Sequence, residues 1–203
     1  MSTPLLHVDG LAKRYQRGWL ARETTFRLEA DFRIDGPGVV GVMGANGTGK
    51  TTLFELITGS NLPGSGRVRV NGQDIHAVRY RERDRLAIHY HQSYQVRAFK
   101  RTRPNFMLDH ATSESPLVHL FDEPQFNTQD GYIGFMLDFF RKLRRDGRLV
   151  FLCLHPNEPY HIDILRESCE RFLFVHKGQV TQAADFATLL RDEQVRAYLG
   201  KLA

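Results

Sequence analysis

The sequence predicts an α/β fold in which helices pack on a mixed sheet with a parallel core and an antiparallel portion at its N-terminal side. Short apolar segments alternate with helical segments, which is typical of parallel strands joined by helical crossovers. Between residues 25 and 34, apolar and polar side chains alternate, and this indicates a half-buried antiparallel strand. A glycine-rich loop follows one apolar segment directly and leads into a helix, so that a strand, a turn and a helix start come in succession.

The expected strands are apolar on one face or on both, and glycine or proline turns separate several of them. They lie at residues 5–15, 25–34, 39–43, 68–70, 86–91, 117–121, 149–154 and 172–175. The segments 39–43, 117–121 and 149–154 are almost wholly apolar, which predicts strands buried on both faces. Asn71 and Gly72 mark a hairpin turn after the fourth strand.

Three helices are expected between or after these strands. The first, over residues 50–57, begins at the glycine-rich loop. The second is amphipathic because apolar residues recur at helical spacing. These are Ile133, Met136, Leu137, Phe140 and Leu143. The last is expected over residues 184–199, where Gly200 can end it.

The glycine-rich loop, residues 44–51, matches the pattern G-x-x-x-x-G-K-[ST]. Its glycines let successive backbone N–H groups point inward, and the N-terminus of the following helix adds positive potential. We therefore expect it to bind the phosphates of a nucleotide, with Lys50 on the terminal phosphates and Thr51 on Mg²⁺. The residues expected to contact the nucleotide here are Gly44, Asn46, Gly47, Thr48, Gly49, Lys50, Thr51 and Thr52.

Two carboxylates follow the apolar strand 117–121. Asp122 is a carboxylate directly after an apolar strand, as expected of a residue that holds a metal. Glu123, the next residue, is of the type expected of a general base. Two histidines, His89 and His91, lie two apart on one face of an earlier strand. They could be interpreted as a metal-binding pair, but with no third ligand in view a pair satisfied on the strand face is the favoured interpretation.

In their order along the chain, these motifs resemble those of the ATP-binding cassette (ABC) family of P-loop ATPases. Residues 44–52 resemble the Walker A motif of that family, and residues 117–123 resemble its Walker B motif with the catalytic glutamate. The resemblance implies that Gln92 is the Q-loop glutamine, which acts at the metal and in catalysis, and that His155 contacts the γ-phosphate. It also implies that Tyr15 stacks on adenine, that the cofactors are ATP and Mg²⁺, and that the fold is a P-loop NTPase fold of ABC type.

The chain departs from the family between the Q-loop and Walker B. There the family carries a helical subdomain that ends in a signature of the Leu-Ser-Gly-Gly-Gln type, whereas residues 93–116 are too few for it and contain no glycine. We interpret residues 1–203 as a single nucleotide-binding domain that lacks the signature, with residues 93–116 in place of the subdomain. Residues 125–130 resemble the D-loop of the family only loosely. The departure puts self-sufficient hydrolysis in question, but not nucleotide binding.

The composition excludes several classes of protein. With 203 residues, of which 41% are hydrophobic and 25% charged, the chain has the composition of a globular domain. No apolar segment reaches the length of a membrane span, and the N-terminus does not resemble a secretion signal. Two cysteines, Cys153 and Cys169, are too few for a disulfide scaffold. These features predict a cytoplasmic protein, which a partner could hold at the inner face of a membrane.

The leading functional hypothesis is an ATPase subunit that drives conformational change in a larger, transporter-like complex. Its expected protein partner is a signature-bearing ATPase subunit, a membrane subunit or both. One alternative is an ATP-dependent scaffold or regulatory subunit with little turnover. Another, less favoured, is a nucleic-acid-associated ATPase, because the net charge is +5 and residues 97–103 are basic with aromatic neighbours. A solvated edge or a protein-docking surface explains that segment equally well.

Overall fold

The computed structural model describes residues 3–17, 23–91, 116–124 and 132–203. These parts of the chain form one mixed sheet with helices on both faces. The strands are β1 (Leu6–Arg17), β2 (Glu23–Ile34), β3 (Gly38–Met43), β4 (Ser65–Val70), β5 (Gln73–Asp74), β6 (Ala87–His91), β7 (Val118–Asp122), β8 (Leu149–Cys153), β9 (Arg171–His176) and β10 (Gln179–Ala183). The helices are α1 (Lys50–Thr58), α2 (Tyr80–Leu86), α3 (Tyr132–Arg145), α4 (Pro159–Ser168), α5 (Phe186–Leu189) and α6 (Glu193–Leu199), and a 3₁₀ turn (Gly200–Leu202) follows α6.

The ten strands of the described residues lie in the order β5-β4-β1-β2-β10-β9-β3-β8-β7-β6. The strands from β9 to β6 in this order run parallel to one another. By contrast, β1 pairs antiparallel with both β2 and β4. Strand β10 joins the two portions, because it is antiparallel to β9 and parallel to β2. The predicted mixed sheet, with a parallel core and an antiparallel N-terminal portion, is confirmed.

The central strands β3 and β8 are buried along their whole length. One face of the sheet packs against α1, whose Leu53, Phe54 and Ile57 belong to the first hydrophobic cluster. The other face packs against α3 and α4, through residues such as Phe140 and Leu165 of the second cluster. Burial on both faces explains why these strands are apolar at nearly every position. It also leaves the strand ends as the places where polar side chains can gather.

The helices differ from the prediction in two respects. The sequence pattern does not predict α2 or α4, which have seven and ten residues. The helix predicted over residues 184–199 is two helices, because Asp192 has an extended backbone and caps α6 by accepting a hydrogen bond from the Gln194 amide at 2.8 Å. Asp185 caps α5 in the same way, with the Thr188 amide at 2.6 Å. In the described ranges, none of the helices combines the length and the apolar composition required to span a bilayer.

Candidate active site

The carboxyl ends of the parallel strands form one edge of the sheet, and three predicted motifs begin there. The glycine-rich loop follows β3, Asp122 ends β7, and His155 comes two residues after β8. Strand β8 lies between β3 and β7, so that Cys153 is opposite Val42 on one side and opposite Asp122 on the other. The topology therefore brings the three motifs to one edge, which is where open α/β sheets bind their ligands.

Two glycines of the loop lie so close to neighbouring strands that any other residue would force a neighbouring atom to move. A Cβ atom on Gly44 would lie 2.2 Å from the carbonyl oxygen of Val175 in β9. A Cβ atom on Gly49 would lie 2.7 Å from the ring of Phe26 in β2, and the φ angle of Gly49 is 109°, in the left-handed region. The loop is thus packed against β9 on one side and against β2 on the other.

Lys50, the first residue of α1, places its charge inside the loop. Its side chain is buried, and its ammonium group donates to the carbonyl oxygens of Gly44 at 2.8 Å and Ala45 at 3.0 Å. The Thr48 hydroxyl donates to the same Ala45 carbonyl at 2.8 Å. This buried cation lies at the N-terminus of a nine-residue helix and contacts the backbone of the loop. Such an arrangement suits an anionic ligand such as a phosphate chain.

The remaining predicted contacts of this loop lie around its rim. Asn46 and Gly47 are exposed at the tip, and Thr52 is half-buried in the first turn of α1. A groove of about 610 Å³ runs beside the loop, lined by loop residues 45–48, by residues 24–27 of β2, and by His176 with Lys177. Its volume is that of an ordinary small-ligand site. A second groove of about 760 Å³ lies over β1, β2 and β10, away from the loop.

The glycine-rich loop and the acidic strand end meet at Thr51 and Asp122. The Thr51 hydroxyl donates to Oδ2 of Asp122 at 3.0 Å, and Nε2 of His89 lies 3.3 Å from the same oxygen. Burial raises the pKa of Asp122 and is the largest effect, but hydrogen bonds with His89 and Thr51 outweigh it, so that the pKa lies below its ordinary value. The carboxylate is therefore ionised at neutral pH.

This pair of oxygen ligands fits the predicted metal. Mg²⁺ prefers oxygen, and it is usually held by one or two protein groups while phosphates and water complete its shell. Among residues 3–17, 23–91, 116–124 and 132–203, no group of three or more His, Cys, Asp or Glu side chains could hold a metal unaided. The contact with Asp122 also agrees with the favoured interpretation of His89 as a satisfied strand residue. That contact is a feature of the site that the sequence pattern does not reveal.

Glu123, the predicted base, has an unusual backbone conformation. Its φ angle is 49°, in the left-handed region that non-glycine residues seldom adopt. Its amide donates to the carbonyl oxygen of Cys153 at 3.0 Å, which ties this turn to β8. The side chain is half-buried, next to the buried Asp122 and Pro124. Backbone strain of this kind is concentrated at functional sites.

His155 is exposed and has a partner that the sequence motifs do not include. Its Nδ1 lies 2.9 Å from the hydroxyl of Tyr198, in the last helix, α6. Forty-three residues separate the two along the chain, and no local pattern marks Tyr198 as part of a site. Only the packing of α6 beside the strand ends brings the two together.

Tyr15 lies in the second half of β1 and is 37% exposed. Its hydroxyl accepts a hydrogen bond from the side-chain amide of Asn61 at 2.8 Å, and the ammonium of Lys13 lies 5.4 Å from the ring centre. Its ring centre is 6.2 Å from that of Phe26, which lines the groove beside the loop. The alternating pattern of β2 marks Phe26 only as a core residue, so the sequence misses this aromatic wall of the groove.

Two predictions concern residues outside the described ranges. Gln92 follows the last residue of β6 directly, but its own placement is not described, and the same holds for residues 93–115 and 125–131. The predicted roles of Gln92 and of the D-loop-like residues 125–130 therefore stay predictions.

Comparison with known proteins gives matches of both sequence and structure. The family model described as ABC transporter matches residues 29–129. The chain is 33% identical over 90 residues (44% of this chain, 14% of that protein) to the macrolide export ATP-binding/permease protein MacB 2 of Aeromonas hydrophila. It is 32% identical over 85 residues (42% of this chain, 36% of that protein) to the lipoprotein-releasing system ATP-binding protein LolD of Coxiella burnetii. It is also 42% identical over 66 residues (32% of this chain, 11% of that protein) to the energy-dependent translational throttle protein EttA of Mycobacterium tuberculosis. The matched parts span little more than a third, or less, of these relatives.

Solved structures resemble the chain over nearly its full length. An ATP-binding subunit of an ABC transporter aligns with a TM-score of 0.65 and 18% identity, over 98% of this chain and 99% of that one. The ADP conformation of an ATP-binding cassette of an ABC transporter aligns with a TM-score of 0.70 and 16% identity, over 97% of this chain and 98% of that one. At such identities the likeness concerns the fold.

Proposed function

Because the chain belongs to the ATP-binding cassette (ABC) family of ATPases, we propose that it binds MgATP at this edge of the sheet and hydrolyses it with a partner subunit, driving conformational change in a transporter-like complex. One observation carries the proposal: the hydroxyl of Thr51 and the carboxylate of Asp122 come from two separate motifs and lie 3.0 Å apart. A glycine-rich loop that did not bind a nucleotide would not require a buried, ionised carboxylate next to the first turn of the helix that follows it.

The binding roles follow from the contacts. Lys50 offers an ammonium group inside the loop, and the loop amides with the N-terminus of α1 offer further donors to phosphate oxygens. Thr51 and Asp122 would hold Mg²⁺, which supplies neutralisation of the charge that develops on phosphate oxygens. Tyr15 would stack on adenine, at the side of the groove where β1 and β2 pair.

The catalytic roles belong to the strand ends beside the loop. Glu123 is the general base that takes a proton from the attacking water, and its strained turn holds it next to Asp122. His155 donates to the terminal phosphate. Gln92, the next residue along the chain after β6, is proposed to act at the metal because of the family resemblance.

The proposed partner follows from the composition of residues 93–116. This segment has no glycine, so we infer that residues 1–203 form a single nucleotide-binding domain that supplies no signature of its own. A second subunit would then have to provide the donors that close over the nucleotide. The ATP-binding/permease protein and the ATP-binding protein of a lipoprotein-releasing system among its relatives support a partner in transport.

A second candidate function is that of an ATP-dependent scaffold or regulatory subunit, in which occupancy of the site is the signal. The glycine-free segment favours it, because a site that is never completed turns over little. Glu123 and His155 oppose it, because a site used only for binding has no need for a base or for a second phosphate donor. A nucleic-acid-associated role has weaker support, from the basic residues 97–103 and from a relative named as a translational throttle protein.

Phosphate release from MgATP tests the proposed hydrolysis. Glu123→Gln removes the base and, when the chain is assayed together with a signature-bearing partner, should lower the rate by about 10²- to 10⁴-fold, the usual contribution of general base catalysis. Glu167→Gln, on the exposed side of α4, is the matched control and should leave the rate unchanged. Equal rates for the chain and for Glu123→Gln in the presence of that partner, with ATP bound in both, would favour the scaffold instead.

A further inference from the structure

The contact between Tyr198 and His155 joins the last helix to the candidate active site. The tyrosine hydroxyl lies 2.9 Å from Nδ1 of the histidine, and the two ring centres are 5.8 Å apart. Tyr198 thus connects α6 to a predicted catalytic residue that follows β8.

Packing against the hydrophobic core fixes the position of Tyr198. Val195 and Leu199, its neighbours on α6, are buried in the second hydrophobic cluster. Its ring packs beside that of Phe174 in β9, with the ring centres 5.8 Å apart. Asp192 caps the start of the helix. The hydroxyl therefore has a fixed position relative to the strand ends.

The direction of the hydrogen bond to His155 can be deduced. Burial, the largest effect, raises the pKa of Tyr198 above its ordinary value. The phenol is therefore protonated at neutral pH and carries one proton to donate. A phenol O–H is a stronger hydrogen-bond donor than the N–H of a neutral imidazole, and an imidazole nitrogen is a stronger acceptor than a phenol oxygen. The phenol therefore donates its proton to Nδ1 of His155, 2.9 Å away.

A neutral imidazole has one protonated nitrogen and one that accepts. If Nδ1 accepts from Tyr198, the proton of the ring must lie on Nε2. We propose that Tyr198 is a positioning residue that holds His155 in the tautomer protonated on Nε2, so that the free end of the ring is always a donor. The donor faces the terminal phosphate of ATP, and this part of the inference rests on the proposed function.

The tautomer itself can be measured without nucleotide. Long-range proton–nitrogen correlation spectra of the ¹⁵N-labelled chain distinguish the two neutral tautomers, at a pH above the range in which histidines usually titrate. We expect His155 to be protonated on Nε2 in the chain and in the control Tyr160→Phe, a half-buried tyrosine of α4. In Tyr198→Phe, which keeps the ring but loses the hydroxyl, we expect a mixture of both tautomers. A signal that is unchanged by Tyr198→Phe overturns the proposal.

Kinetics give a second and separate readout. Tyr198→Phe should lower kcat by about 2- to 10-fold, the range that loss of one neutral hydrogen bond allows, with KM for ATP nearly constant. In a His155→Ala background the same substitution should have no further effect, because Tyr198 acts through His155. Full additivity of the two substitutions would overturn the positioning role. Absence of ATP binding in the unmodified chain would instead overturn the proposed function, while the tautomer measurement would still stand.

Discussion

At the level of single residues, the predicted base Glu123 has a left-handed backbone conformation. A left-handed conformation costs a non-glycine residue roughly 1–2 kcal/mol, and here the hydrogen bond to Cys153 maintains it. The sequence predicts the base from its position after an apolar strand and an aspartate. It cannot predict the φ angle, because that depends on the pairing of the turn with β8.

Tyr15 is the residue whose predicted role can be tested most simply. Stacking of an aromatic ring on a base contributes about 1–3 kcal/mol, so Tyr15→Ala should weaken ATP binding by that amount. Tyr15→Phe keeps the ring, loses only the hydroxyl contact with Asn61, and should bind almost normally. Titration of the purified variants with a fluorescent ATP analogue measures both.

Phe26 and Trp19 supply the alternatives to this prediction. Phe26 lines the groove beside the loop, whereas Trp19 lies outside the described residues. If Tyr15→Ala and Tyr15→Phe bind ATP equally, Tyr15 is only a strand residue. Titration of Phe26→Ala and of Trp19→Ala would then identify the stacking ring.

At the level of secondary structure elements, the sequence predicts most clearly the strands that are buried on both faces. The strands β3, β7 and β8 are apolar because helices cover both faces, and this composition is visible in the sequence. The helices α2 and α4 are short and only partly buried, so they leave a weaker pattern. The partners of the site, His89 and Tyr198, could not be predicted, because each reaches its contact from a distant part of the chain.

Strand β7 also contains a buried histidine that makes stability depend on pH. His119 packs between neighbouring rings and its Nδ1 lies 3.1 Å from the Tyr90 hydroxyl, while its Nε2 has no hydrogen-bond partner within the described part of the chain. Burial, with a smaller contribution from Arg148, lowers its pKa to about 3. Since the folded-state pKa is depressed, the unfolded chain binds the proton first, and stability falls as the pH drops from 6.5 towards 3.

The predicted slope is about 1.4 kcal/mol per pH unit from this one residue. His119→Phe removes the titrating group and keeps an apolar ring in the stack, so its unfolding free energy should depend less steeply on pH by that amount. Urea unfolding of both proteins across this window measures the difference. Parallel pH profiles would mean that His119 is not the buried neutral group described above.

At the level of the whole molecule, the parallel core gathers the nucleotide-binding motifs at one edge, and the antiparallel strands extend the sheet beyond them. Residues 93–116 contain no glycine, so we propose that this chain supplies no signature to the edge. Donors that stabilise developing charge are each worth several kcal/mol in catalysis, so hydrolysis without them should be slower by orders of magnitude. A homodimer would hold two incomplete sites, whereas a different, signature-bearing subunit would complete one.

We therefore expect the purified chain to bind ATP but to release phosphate very slowly, and a signature-bearing partner to raise the rate. Pull-down of the native complex followed by mass spectrometry would supply the partner. Steady-state phosphate release, with and without it, then decides the question. Rapid turnover by the chain alone at low concentration, abolished by Glu123→Gln, would mean that residues 93–116 provide the missing donors themselves.

Calorimetric titration of the purified chain with MgATP tests the central claim most directly, namely that the glycine-rich loop and Asp122 form a nucleotide site. Lys50→Ala removes the buried charge from the loop and should weaken the affinity by about 10- to 100-fold, the range for a lost hydrogen bond to a charged group. Lys142→Ala, which changes a half-buried lysine of α3 away from the loop, is the matched control and should bind like the unmodified chain. Equal affinities of the unmodified chain and Lys50→Ala, or no binding by either, would contradict the claim.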